Sequence, residues 1–162
     1  MDPRLRRKVI KCVRRIRTIP FTDACNEYDI IVIDLASIVY GLRRPVEFLK
    51  NLSLAQTHNI VRSRFVIVLD YSREIHVKVS NRYITLIRDL GLEYVLSENE
   101  PAEIRAAKIC REHILRGHKC IVLSRDYDPL TIVDEELMPS RRHFAWTVDH
   151  VMVDRRCLES LT

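Results

Sequence analysis

Apolar residues in this chain fall into two patterns. Short unbroken runs, Ile30-Ile31-Val32-Ile33, Phe65-Val66-Ile67-Val68-Leu69 and Ile121-Val122-Leu123, are β-branched or aliphatic and predict strands buried on both faces. Between them, apolar positions recur every three or four residues, the spacing of helices packed along one side. Strands are expected at 29–36, 64–70, 92–96, 119–124 and 143–148. Helices are expected from Pro45 to about residue 61, from about 80 to 90, and from Pro101 to a stop at Gly117, with a short helical turn at 37–42. Pro45 and Pro101 suit a first helical turn, and Gly91 suits the residue just past a helix end. Residues 18–28 read as a connector and 71–77 as a polar link. Strands alternating with helices predict the α/β class, as a three-layer α/β/α sandwich around a mostly parallel five-stranded sheet.

Composition narrows the picture. A chain of 162 residues, 47% of them hydrophobic, can bury one ordinary core, so a single domain over 1–162 is expected. Its formal charge of +5 leans towards an anionic partner, nucleic acid being the commonest. Much of that charge sits at about 4–17, where Arg4, Arg6, Arg7, Lys8, Lys11, Arg14, Arg15 and Arg17 accompany Leu5, Val9, Cys12, Val13 and Ile16 at helical spacing. A basic amphipathic helix there predicts phosphate contacts from Arg6, Arg7, Lys11 and Arg14. A solvated face or a localisation signal is the plainer alternative. Five cysteines, an odd number with no zinc spacing, predict reduced thiols in a nucleus or cytoplasm and not a secreted protein. No apolar run reaches the roughly 20 residues of a membrane span, so no membrane is expected. Three glycines exclude the glycine-rich nucleotide loops. His113 and His118, near a helix end, fit capping or exposure better than metal binding.

The candidate chemistry is carboxylate. Asp34, Asp70 and the pair Asp126 and Asp128 each follow an apolar strand, where open α/β sheets place their sites. Asp is a poor strand residue, and grouped negative charges cost free energy unless a cation lies among them. An all-oxygen cluster predicts Mg²⁺ or Mn²⁺.

The order of these acids resembles the nuclease core of the flap endonuclease and XPG family, within the PIN-like superfamily. The resemblance covers about residues 29–150. Its motifs are Val32-Ile33-Asp34-Leu35-Ala36-Ser37-Ile38-Val39-Tyr40, Gly91-Leu92-Glu93-Tyr94, Asn99-Glu100-Pro101-Ala102-Glu103 and Arg125-Asp126-Tyr127-Asp128-Pro129-Leu130. It implies that Asp34, Asp70, Glu100, Asp126 and Asp128 hold one or two metal ions and hydrolyse phosphodiesters of DNA or RNA by a two-metal mechanism. Ala102 stands where the family has a second Glu, and Glu103 is the neighbour placed to reach the same metal or to serve the helix N-terminus. The span from Asp70 to Ser80 is too short for the family's basic arch, which leaves Arg73, His76, Lys78 and Arg82 as the cations nearby, with Arg73 and Lys78 expected to meet the scissile phosphate. The family's helix-three-turn-helix module has no counterpart before Thr162, so a protein partner supplying a duplex grip is expected. These departures keep two alternatives open: a catalytically weakened PIN-like module that binds nucleic acid or protein, and a PIN-type ribonuclease of toxin or host-shutoff type.

Overall fold

The computed structural model describes residues 3–4, 7–8, 18–124, 144–145 and 150–152. Four parallel strands form its centre: β2 (Ile30–Asp34), β3 (Arg64–Asp70), β4 (Glu93–Ser97) and β5 (Cys120–Leu123), in the spatial order β5-β2-β3-β4. Beyond β5 the sheet continues through the two residues of β6 (Phe144–Ala145), parallel to β5, and then β7 (His150–Met152) and β1 (Thr18–Pro20), joined antiparallel. The expectation of a mostly parallel five-stranded sheet is thus corrected in strand count, to a four-stranded parallel centre with short additions at one side. Every residue of β2 and β5 is buried, as is β3 after Arg64, which is why these segments read as unbroken apolar runs. Edge strand β4 is only partly covered, and its pattern is correspondingly mixed.

Alternation along the strands divides the core into two layers. Ile31, Ile33, Phe65, Ile67, Leu69, Ile121 and Leu123 face one side, where α1 (Phe21–Glu27), α2 (Leu35–Ile38), α3 (Pro45–Thr57) and α4 (Glu74–Asp89) contribute buried side chains. Ile30, Val32, Val66, Val68, Cys120 and Val122 face the other, covered by Ala102, Ala106 and Cys110 of α5 (Ala102–Leu115). Helices therefore flank the sheet on both faces, compatible with a three-layer sandwich.

Two helices depart from expectation. A connector was expected at 18–28, but β1 and α1 occupy it. Phe21, Ala24, Cys25 and Tyr28 lie on one helical face, and Phe21 packs on Phe65 and Phe48 with ring centroids 6.5 and 6.0 Å away. Helix α4 begins at Glu74, well before the expected residue 80, because the 71–73 segment is folded back onto Asp70. Pro45 occupies the first turn of α3, and Gly91 and Gly117 take φ of +70° and +88° at the ends of α4 and α5, as predicted. Pro101 stands one residue before α5. Of the basic N-terminal stretch, Arg7 and Lys8 are helical and exposed, while Arg6, Lys11 and Arg14 lie outside the described residues. Among the described residues no helix is long and apolar enough to cross a membrane. Cys25, Cys110 and Cys120 are free, buried thiols, and burial pushes Cys25 up to about 11.

Candidate functional site

Strand order sets the geography. The chain passes from β2 outward to β3 and β4, then returns through α5 to β5 on the opposite side of β2. Beyond the carboxyl ends of β2 and β5 the connections part, and in an open parallel sheet this is the crevice that receives a ligand. Asp34 stands at that point. Its side chain is 1% exposed and on the α5 side of the sheet, by alternation with Ile33, and its Oδ2 accepts the Ser124 hydroxyl at 3.1 Å. Ser124, directly after β5, also lies 3.0 Å from the Ser37 hydroxyl.

Asp70 shares the same face on the neighbouring strand. Asp34 pairs in register with Val68, so Asp70 lies two residues further along, with the two Cα atoms about 8 Å apart. Fully buried, Asp70 is surrounded by donors. Oδ1 accepts from the Ser72 amide at 2.9 Å and the Ser72 hydroxyl at 2.7 Å, while Oδ2 accepts from Arg73 Nη2 at 2.8 Å, Arg73 Nε at 3.3 Å and the Ala102 amide at 3.2 Å. Burial pushes its carboxyl up, but the hydrogen bonds from Ser72, Arg73 and Ala102 outweigh that and hold it below the usual carboxylate range. The Ala102 contact makes Asp70 a cap for α5 supplied from a distant strand, since α5 has no side-chain cap of its own.

Arg73 Nη2 also donates to Glu103 Oε2 at 2.8 Å, so one guanidinium joins two carboxylates from separate elements. Glu100 is held differently. Lys108 Nζ lies 2.6 Å from its Oε2, and the Ser97 hydroxyl donates to its backbone carbonyl. Lys78 is exposed on α4. The structure therefore brings Asp34, Asp70, Glu100, Glu103 and Arg73 to one end of the sheet, around the N-terminus of α5. Within that group Asp70 and Glu103 share a cation and Glu100 has another. Asp126 and Asp128 lie outside the described residues. Among the described residues no set of three or more His, Cys, Asp or Glu side chains is grouped to hold a metal ion.

The sequence missed one participant and one partnership. Ser124 was taken as the last residue of a strand, although a hydroxyl beside a strand-end Asp is a ready donor to it. Arg73 was expected to meet phosphate, and its spacing of three from Asp70 already allowed an ion pair. Comparisons with protein-family models, with curated proteins and with solved structures find no match. The likeness to flap endonucleases rests on the sequence motifs alone.

Proposed function

We propose that this chain is a Mg²⁺- or Mn²⁺-dependent nuclease of PIN-like architecture, hydrolysing phosphodiester bonds of DNA or RNA. The observation that supports this best is the buried Asp34 at the crevice between β2 and β5, with Asp70 on the same face of the next strand. Oxygen-only donors of this kind suit a hard divalent ion. Asp34 and Asp70 would hold it, with Glu100, Glu103, Asp126 and Asp128 as the further carboxylates the motifs supply. Asp126 follows Ser124 by two residues, a tether of at most about 7 Å. Bound there, the ion supplies a Lewis acid for an attacking water and the leaving oxygen.

The remaining work falls to the chain itself. Ser124 fixes the orientation of the Asp34 carboxylate through its hydroxyl. Asp70 and Glu103 hold the Arg73 guanidinium, whose side chain is 38% exposed, in position to meet a phosphate oxygen. Ligation by Glu100 requires its ion pair with Lys108 to open, and ligation by Asp70 or Glu103 requires a carboxylate oxygen to turn from Arg73 to the ion.

The test is cleavage of labelled single-stranded, flap and duplex DNA and of RNA by the purified chain, with Mg²⁺ or Mn²⁺ and with excess chelator. Metal-dependent cutting of at least one substrate is expected, and cutting that persists in chelator sinks the proposal. One observation favours a second reading. Arg73 already pairs with both Asp70 and Glu103, as in a carboxylate cluster that has exchanged its metal for an internal cation. On that reading the domain binds nucleic acid without cutting it, and the same assay separates the two.

Removal of residues 1–17 tests the basic stretch. Four phosphate contacts from Arg6, Arg7, Lys11 and Arg14 carry a slope of about 3–4 in log affinity against log salt. Fluorescence anisotropy across a salt series should show that slope flatten by this amount in the truncated chain. An unchanged slope removes these residues from the interface.

A further inference from the structure

The C-terminal ends of α4 and α5 are built alike, yet their side chains differ in kind. At the end of α4, the Gly91 amide donates to Arg88 O at 3.0 Å and the Leu92 amide to Ile87 O at 3.2 Å, with Gly91 at φ +70°. At the end of α5, the Gly117 amide donates to Ile114 O at 3.0 Å and the His118 amide to His113 O at 3.0 Å, with Gly117 at φ +88°. Both are Schellman motifs, in which the chain reverses through a left-handed residue and a side chain beyond the turn meets one inside the last turn. That meeting is ordinarily hydrophobic. It is so in α4, where Ile87 and Leu92 are 0% and 4% exposed. In α5 the same two positions carry imidazoles that reach the surface, His113 half-buried and His118 exposed.

The rings meet nitrogen to nitrogen. Nδ1 of His113 and Nδ1 of His118 are 3.4 Å apart, with ring centroids at 5.6 Å and planes inclined by 37°. That separation is at the long end for a hydrogen bond between the two rings. It matches another geometry closely. Two imidazole nitrogens bound at about 2.0–2.1 Å to a tetrahedral ion lie about 3.3–3.4 Å from each other. Right-angled coordination at the same bond length brings them to about 2.9 Å, so the spacing suits Zn²⁺ better than a square-planar or octahedral ion. Glu93 and Arg64, themselves paired at 3.1 Å, stand near His113 together with Arg116, and Asp29 stands near His118.

We propose that His113 and His118 form a two-imidazole Zn²⁺ site, set by the Gly117 turn and completed by solvent, which fastens the end of α5 to the start of β5. Both nitrogens bind through their lone pairs, so each ring carries its proton on Nε2. The site lies at the opposite end of β5 from Ser124 and Asp34, and is independent of the nuclease chemistry proposed above.

The experiment is calorimetric titration of the full chain with Zn²⁺, followed by NMR of the imidazole resonances. One Zn²⁺ should bind and shift the ring signals of His113 and His118. Outer-shell partners of metal ligands are already worth about 10–100-fold in affinity, so His113→Ala and His118→Ala should each weaken binding by more than about tenfold. Gly117→Ala keeps both rings but strains the turn, and should weaken Zn²⁺ as well. Both imidazoles lie at the surface, and circular dichroism establishes that the variants fold. Absence of Zn²⁺ binding to the unaltered chain overturns the proposal, as does undiminished affinity in both His variants or ring signals that do not move.

Discussion

Replacing Asp70 by alanine should lower the unfolding free energy by about 3 kcal/mol, read as a shift in urea midpoint with the slope unchanged. The figure is the low end for breaking a buried charge pair, because Arg73 keeps 38% of its side chain exposed and recovers some hydration. The loss has three parts. Arg73 and Glu103 are left as a simple surface pair, the Ser72 turn loses both its bonds to the carboxylate, and the first amide of α5 loses its cap. Stability should also respond to acid in a definite direction. The folded Asp70 titrates below its unfolded value of about 3.9, so its contribution is fully present above that pH and disappears as pH falls through the folded pKa. Asp70→Asn, with no carboxylate to titrate, should show a flatter acid limb below about pH 4. An Asp70→Ala chain that unfolds at the original urea concentration would mean that these five contacts hold nothing together.

The strands were legible because burial on both faces leaves a signature no surface element shares. Ile30–Asp34, Arg64–Asp70 and Cys120–Leu123 agree with the expected spans to within two residues, and their parallel pairing follows from the helices between them. Helix α1 was not legible. Its apolar face is short, and what fixes it is the packing of Phe21 against Phe48 and Phe65, two residues far along the chain. The start of α4 was hidden for a related reason, since Glu74 to Lys78 has a polar link's composition and becomes helical where Asp70 anchors the preceding turn.

For the candidate site, position was readable and partnership was not. Strand ends located Asp34 and Asp70, and alternation explains why both face α5. Counting carboxylates suggested that a metal must balance them, but the structure supplies Arg73 to Asp70 and Glu103 and Lys108 to Glu100. Those pairings depend on where α5 begins relative to β3, which no local pattern encodes. The histidine pair is the converse case. Gly117 was correctly taken as a helix stop, and the Schellman geometry of such a stop already brings residues 113 and 118 together.

Asp34→Asn should leave the fold intact and remove cleavage. Asparagine has the same shape and keeps an oxygen for the Ser124 hydroxyl, so stability should change by no more than about 1 kcal/mol. The lost charge is what a divalent ion requires. Removing a residue that only hydrogen-bonds a metal ligand already costs about 10–100-fold in metal affinity or activity, so losing a ligand itself should cost at least about 100-fold in cleavage rate, with Mn²⁺ affinity falling in parallel by calorimetry. The contrast with Asp70 carries the diagnostic weight. Asp70 is tied to Arg73 and to the α5 N-terminus, so its substitution strikes stability and activity together, whereas the Asp34 carboxylate accepts the neutral Ser124 hydroxyl, which asparagine can still do. If Asp34→Asn cuts at the unaltered rate while remaining folded, the crevice between β2 and β5 is not where the phosphodiester breaks. If it loses Mn²⁺ and keeps nucleic-acid affinity, cutting and binding are separate properties, the first resting on Asp34 and the second on the basic N-terminal stretch.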